Sequence, residues 1–363
     1  MIELTSQKHN IKRRYSNIEL LRIISMLFVL ITHACYVSLG ASNYVDFSTS
    51  FSSSMMRCII EALSAVGVNV FILISGWFGI NSRMSRFVEF IFQIIFLEVA
   101  LYVIMRLLGL TNAMDVSGWV ELFLFKYGTY WFVKAYIVLY IYAPVLNAFV
   151  IHCGRKQLKF FIVSFFAFQT IYGFCINTGW FSSGYSPLSF MGLYLLARYM
   201  RLYPNRYTKL NKRSDIVLYV IISLFIAVCS SSMICYFNKV GTSMFQYSSP
   251  LLVLSSVYLF LFFTKISFNS TLINWVSASC FAVYVIHCSP FVFYPYYIDY
   301  IKTWFLTESG IMFIAHVSYW LSFIFVFSIF LDKIRIVVWD FFCSLFGRLL
   351  IKYICKDRKN ENA

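Results

Sequence analysis

Long apolar segments constrain this chain more than any other feature of its sequence. A helix needs about 20 mostly apolar residues to cross the hydrocarbon core of a bilayer. Ten segments approach or exceed that length: 18–38, 58–79, 87–108, 130–151, 160–176, 187–200, 214–235, 247–264, 275–298 and 311–332. Each is predicted to be helical, because backbone groups in lipid find no water to bond. The sequence therefore predicts an all-α polytopic membrane protein with about ten transmembrane helices.

The composition agrees with a membrane protein and excludes an ordinary soluble domain. Apolar residues make up 60% of the 363 residues and charged residues only 12%, with a mean hydropathy of +0.75. A soluble domain carries about twice that charged fraction. The net charge of +15 comes from short basic blocks between apolar runs, not from one long basic face. We therefore expect membrane lipids as partners and no nucleic acid.

The distribution of Lys and Arg predicts the orientation of the chain. If the N-terminus is cytoplasmic, 23 of the 30 basic residues fall in cytoplasmic segments and five in outside loops, as the positive-inside rule requires. Both termini are then cytoplasmic. The predicted organisation is a cytoplasmic segment at 1–17, a transmembrane domain at 18–332 and a basic tail at 333–363. Apolar positions at helical spacing over 335–356 predict an amphipathic helix on the inner leaflet.

The first apolar segment carries ionisable residues that form a stripe. Ionisable groups inside lipid are costly and indicate function. Arg22 and His33 are eleven residues apart, which is three helical turns plus about 20°, so both lie on one face about 16 Å apart along the axis. Glu19 lies three residues before Arg22 and can pair with it. A polar line therefore runs from the inner surface toward the outer half of the membrane.

His33 has two interpretations at this point. A neutral imidazole can accept a proton near neutral pH, which suits a general base for a sugar hydroxyl. The alternative is a structural histidine that bonds to a neighbouring helix. The spacing of residues in this segment does not separate the two.

Two further motifs have both a structural and a functional interpretation. Arg83 and Arg86 form a short inner loop that can grip phosphates, although such pairs are common in positive-inside loops. Ser75 and Gly76 permit close helix approach, and they can equally border a narrow passage. The ten cysteines contain no C-x-x-C pair, so we predict no metal site.

Four segments of the chain carry a family resemblance when taken in order: 19–33, 71–86, 130–144 and 281–287. They contain the Arg22 and His33 stripe, the Arg83 and Arg86 pair, and a Tyr-x-x-His motif that ends at His287. Together with the predicted ten spans, they resemble the membrane-bound acyltransferase-3 family.

The resemblance implies roles for these residues. His33 would be the catalytic base, Arg22 its supporting or donor-side cation, and Arg83 and Arg86 the groups that contact the phosphates of acyl-CoA. The residues implied for the cavity or the acceptor site are His287, Glu19, Trp131, Tyr284 and Ser75.

The resemblance also implies an activity. The enzyme would transfer an acyl group, usually acetyl, from cytosolic acyl-CoA to a sugar hydroxyl on a lipid-linked or nascent surface glycan. Acyl-CoA would be a co-substrate, and no bound cofactor is expected. We expect a stand-alone glycan O-acetyltransferase of the bacterial cytoplasmic membrane, without a soluble hydrolase-like domain. The acceptor sugar, the acyl group and the oligomeric state stay open.

Two rival functions belong to other classes. A flippase or transporter of lipid-linked sugars would also have many spans and buried charges. A polysaccharide polymerase usually has a large outside loop, whereas the longest outside stretches here hold about 20 residues. The flippase is therefore the alternative that remains.

Overall fold

A computed structural model describes residues 15–123, 130–176, 178–237 and 241–360 of the chain. Most of these residues are helical, and none of them lies in a β-strand. The α-helices are α1 Ser16–Thr32, α2 Tyr44–Thr49, α3 Phe51–Ser64, α4 Gly67–Phe78, α5 Met84–Leu107, α6 Val116–Phe123, α7 Trp131–His152, α8 Arg155–Gln169, α9 Pro187–Leu202, α10 Lys212–Phe237, α11 Pro250–Thr264, α12 Thr271–Ser277, α13 Cys280–His287, α14 Asp299–Thr307 and α15 Gly310–Asn360. Three π-helical segments cover His33–Ser38, Thr170–Cys175 and Phe293–Ile298, and two 3-10 segments cover Ser182–Gly184 and Gly241–Phe245.

Seven helical segments of the described chain are long and apolar enough to cross a membrane. They are Ser16–Ser38, Phe51–Phe78, Met84–Leu107, Trp131–His152, Arg155–Cys175, Lys212–Phe237 and Ser243–Thr264. Each coincides with a span predicted from the sequence. The predicted class, an all-α polytopic membrane protein, is therefore confirmed.

The other three predicted spans have different forms. The segment 187–200 lies in α9, which has 16 residues. The segment 275–298 is divided between α12, α13 and the π-helix that follows. The segment 311–332 lies at the start of α15, which has 51 residues and continues without a break through 335–356. The total of ten spans and the cytoplasmic position of both termini stay predictions, and residues 1–14 lie outside the described part of the chain.

The segment 275–298, predicted as one helical span, is interrupted in the structure. Helix α12 ends at Ser277, α13 begins at Cys280, and the chain leaves α13 at His287. Irregular backbone is tolerated at membrane depth where it lines a cavity. Ser277, Ala278 and Cys280 do line a cavity, which gives the break its physical reason.

Small residues bring the central helices close together. A Cβ on Gly76 of α4 would lie 2.4 Å from the backbone oxygen of Tyr194 in α9. A Cβ on Gly67 would lie 2.7 Å from the backbone oxygen of Ser25 in α1. The close approach predicted from Gly76 is therefore present, and it fixes α4 between α1 and α9.

Candidate active site

Two histidines from distant parts of the chain meet in the bundle. His33 stands where α1 gives way to the π-helical segment His33–Ser38, and His287 is the last residue of α13. Nδ1 of His33 lies 2.9 Å from Nε2 of His287. His287 is fully buried and His33 is half-buried. Short π-helical segments are often found at functional sites.

The hydrogen bonds of this pair fix which nitrogen carries a proton. Nδ1 of His287 lies 2.6 Å from the carbonyl oxygen of Val283. A carbonyl only accepts, so Nδ1 of neutral His287 is the donor and its Nε2 holds a lone pair. Nδ1 of His33 therefore donates to that lone pair. The remaining nitrogen of His33, Nε2, is left with a lone pair and can accept a proton.

Buried polar contacts hold the segment that contains His287. Ser289 donates to Glu98 across 3.1 Å, and Tyr130 donates to the other oxygen of the same carboxylate. The hydroxyl of Tyr297 donates to the backbone oxygen of Leu30 across 2.6 Å, which ties the following segment to α1. These contacts restrict the movement of both imidazoles.

A wide cavity opens at the end of the bundle where α1 begins. Its volume is about 970 Å³. Arg22, Arg86 and Arg201 are among its lining residues, with Glu19 and Ser75. We call this cavity the basic mouth. Glu19 forms an ion pair with Arg22 at 3.4 Å, as the sequence predicts, so the lining carries an excess of positive charge.

Two smaller cavities adjoin the basic mouth in succession. The second has a volume of about 370 Å³ and shares Glu19, Arg22 and Ser75 with the mouth. The third has a volume of about 20 Å³ and is lined by His33, Trp131 and Tyr284 among others. The second and third cavities share three aromatic residues: Phe71, Phe132 and Phe281. The three cavities therefore lie in series, with volumes that decrease toward His33, and we call this series the tapering passage.

An aromatic cluster lies on the far side of His33 from the basic mouth. Trp131 lines the innermost cavity. Its ring centroid is 4.4 Å from that of Tyr185 and 5.7 Å from that of Tyr247. Tyr185 is 41% exposed. The cluster therefore links the innermost cavity to a partly exposed aromatic ring.

The structure brings most of the predicted site residues to one passage. Glu19, Arg22 and Ser75 line its two wider parts, and His33, Trp131 and Tyr284 line its narrow end. His287 supports His33 from behind. Arg86 lies at the basic mouth. Arg83 is exposed, and its backbone N–H donates to the hydroxyl of Tyr140. Among the described residues, Arg83 does not line the basic mouth.

Two residues of the site were not singled out from the sequence. Arg201 lines the basic mouth and donates to the backbone oxygen of Trp77 across 2.6 Å. In the sequence it is one basic residue in a basic inner segment, so no signal marks it. Cys288 contacts both histidines. The sequence shows that Cys288 directly follows His287. Its proximity to His33 could not be predicted, because it depends on the packing of α13 against α1.

Comparison with known protein families gives one result that covers this whole arrangement. The family model described as an acyltransferase domain matches residues 15–331, a range that contains both histidines and every residue of the passage. Comparisons with curated proteins and with solved structures find no match. The match covers most of the 363 residues, and the chain therefore belongs to the acyltransferase-3 family.

Proposed function

We propose that this membrane acyltransferase transfers an acetyl group from cytosolic acetyl-CoA to a sugar hydroxyl of a lipid-linked or nascent surface glycan. It would act in the cytoplasmic membrane of a bacterium. The observation that carries the proposal is the tapering passage, a series of adjoining cavities with arginines at the basic mouth and His33 at the other end.

The donor would bind from the basic mouth. Its phosphates would contact Arg86 and Arg201, which are exposed at the entrance, through charge-assisted hydrogen bonds. Arg22 lies deeper, between the mouth and the second cavity. The volume of the mouth would suit the nucleotide part of the donor, and the smaller cavities would suit its thin pantetheine arm. Arg83, from the same loop as Arg86, would contribute by general charge attraction.

The reaction would be a direct transfer at the narrow end of the passage. Nε2 of His33 takes the proton of the acceptor hydroxyl while the oxygen attacks the thioester carbonyl. The C–O bond forms, the C–S bond breaks, and the proton on Nε2 passes to the departing CoA sulfur. His287 accepts the Nδ1–H of His33 across 2.9 Å throughout. It thereby orients the ring and stabilises the transient imidazolium, as the third member of a catalytic triad does.

The acceptor would approach from the aromatic side. Trp131 lies between the innermost cavity and Tyr185, whose ring is partly exposed. Aromatic side chains have an apolar face and, in Tyr and Trp, a polar edge, and such faces suit the apolar faces of sugar rings. The acceptor alcohol and the thioester would then reach His33 from opposite directions.

The shape of the passage favours acyl transfer over flippase activity. A flippase must let a whole sugar cross, whereas the cavity volume falls from about 970 Å³ at the basic mouth to about 20 Å³ beside Phe71, Phe132 and Phe281. A thin acyl arm fits such a constriction. Only the acyl group then crosses the membrane, and the charged CoA stays on its own side.

The experiment uses the full chain reconstituted in lipid vesicles with acetyl-CoA labelled in the acetyl group. We expect a labelled glycan product when acceptor glycolipid from the producing cells is present. The His33→Ala variant should form no labelled product. Mass spectrometry of surface glycan from cells with and without the gene identifies the modified sugar. Glycan translocation without acetylation would support the flippase and overturn the proposal.

A further inference from the structure

We propose that His33, His287 and Cys288 form a site for Zn²⁺, and that metal binding there switches off the base of the transfer reaction. The inference about metal binding stands on geometry alone, and only the inhibition rests on the proposed function.

Three potential ligand atoms lie close together at this point. Nε2 of His287 is 2.9 Å from Nδ1 of His33 and 3.3 Å from Sγ of Cys288, and that sulfur is 3.9 Å from Nδ1 of His33. In a tetrahedral zinc site, Zn–N bonds of about 2.0–2.1 Å and Zn–S bonds of about 2.3 Å separate the ligand atoms by roughly 3.3–3.6 Å. The triangle therefore matches three tetrahedral positions after shifts of a few tenths of an ångström.

The chemical nature of the three ligands favours zinc among divalent cations. Two imidazole nitrogens and one thiolate suit a borderline-soft metal ion, whereas Mg²⁺ and Ca²⁺ prefer oxygen ligands. The fourth position is left for water, as in zinc sites with three protein ligands. His287 and Cys288 are buried, so a bound ion would be shielded from competing ligands in bulk solvent.

The surrounding contacts resemble those that orient metal ligands. A histidine that binds metal usually donates its second N–H to a carbonyl or carboxylate. Nδ1 of His287 already donates to the backbone oxygen of Val283 and leaves Nε2 directed at the other two groups. The bond from Ser289 to Glu98 holds the residue after Cys288. The site is therefore largely formed in advance.

Metal binding and base action exclude each other at His33. Binding of Zn²⁺ through Nδ1 requires a lone pair there, so the proton now on Nδ1 must move to Nε2. A neutral imidazole bound in this way has an N–H at Nε2 and no lone pair to accept the proton of a hydroxyl. Cys288 binds as thiolate, and its proton leaves to solvent. The metal-loaded protein is therefore inactive.

A spectroscopic experiment tests the site independently of any activity. The full chain in detergent is washed with chelator and titrated with Co²⁺, which replaces Zn²⁺ in tetrahedral sites and reports thiolate ligation by a charge-transfer band. The expected result is a band at one equivalent that disappears in Cys288→Ala and persists in Cys58→Ala, a control at another buried cysteine. An unchanged band in Cys288→Ala, or no band in the parent protein, overturns the proposal.

A second experiment measures the effect on transfer. We expect Zn²⁺ to inhibit labelled acetyl transfer and chelator to restore it. The rate of Cys288→Ala with Zn²⁺ is compared with the rate of the same variant without metal. Its half-inhibitory Zn²⁺ concentration should rise at least about 10-fold to 100-fold, the usual effect of removing only an outer-shell partner of a metal ligand. Equal inhibition of the parent and the variant, or no inhibition with the Co²⁺ band present, overturns the switch. A metal band without any transfer activity would instead overturn the proposed function and leave the site intact.

Discussion

The proposed base, Nε2 of His33, is defined by two successive hydrogen bonds, the first of which is accepted by a backbone carbonyl. Val283 accepts from His287, and His287 accepts from His33. Each acceptor sets the tautomer of the next ring, so Nε2 of His33 is left free. The position of His33 on the stripe makes it a candidate base, and the family resemblance implies that role. The resemblance implies that His287 lies in the cavity, but its contact with His33 could not be predicted from spacing, because 254 residues separate the two histidines.

Removal of the base should have the largest effect of any single change. We expect His33→Ala to lower kcat by about 10²–10⁴-fold, the usual contribution of a general base. The variant should reach the membrane in normal amount, since His33 is half-buried and borders a cavity. Initial rates with labelled acetyl-CoA in the presence of chelator, together with immunoblots of membranes, provide the test. Transfer at the parental rate would remove His33 from the mechanism.

His287 should act as a positioning residue. Its removal leaves the imidazole of His33 without the acceptor that fixes its tautomer. We expect His287→Ala to lower kcat by about 10-fold to 100-fold. The KM for acetyl-CoA should be unchanged, because His287 is not among the residues that line the passage. Steady-state kinetics separate the two parameters. A raised KM with an unchanged kcat would assign His287 to donor binding instead.

The two arginines of one loop provide a matched pair for the donor site. Arg86 lines the basic mouth, whereas Arg83 does not. A hydrogen bond to a charged group contributes about 1.5–3 kcal/mol. We therefore expect Arg86→Ala to raise the KM for acetyl-CoA by about 10-fold to 100-fold. Arg83→Ala should raise it much less. Equal effects of the two changes would contradict a direct contact between Arg86 and the donor phosphates.

At the scale of helices, the helical period determines which residues share one face, and the packing of neighbouring helices determines which residues from different helices meet at the site. The helical period over residues 19–33 predicts that Glu19, Arg22 and His33 lie on one stripe, and this could be predicted from spacing alone. The break between α12 and α13 could not be predicted, because Ala278 and Ser279 carry no glycine or proline signal. It depends instead on the cavity beside it and on the contact of Ser277 with Glu19.

The contact between α4 and α9 gives a prediction at the same scale. A Cβ on Gly76 would lie 2.4 Å from the backbone oxygen of Tyr194, which cannot move aside as a flexible side chain would. We expect Gly76→Ala to destabilise the folded protein by about 1–3 kcal/mol. Gly179→Ala is the control, since a Cβ there meets nothing within 4 Å. Thermal unfolding in detergent should show a lower Tm for the first variant only. The same Tm for both variants would contradict the prediction, because it would mean that α4 and α9 can move apart without loss of stability.

For the whole molecule, the passage joins the basic end of the bundle to a reaction point near the aromatic side. The sequence predicts the class of the protein and its family, because apolar length and motif order are properties of the chain alone. It does not predict the taper, which depends on Phe71, Phe132 and Phe281 from three different helices. By the positive-inside rule we expect the basic mouth to open to the cytosol.

The measurement that tests this arrangement most directly is acyl transfer across a sealed membrane. The full chain is reconstituted in vesicles, with labelled acetyl-CoA on one side only and acceptor glycolipid on the other. Protease protection of the basic loop residues near Arg83 and Arg86 reports the orientation of the chain. We expect labelled acceptor only when acetyl-CoA is on the side of the basic mouth, and none with His33→Ala. Transfer that requires acetyl-CoA and acceptor on the same side would contradict a passage that carries the acyl group across the membrane.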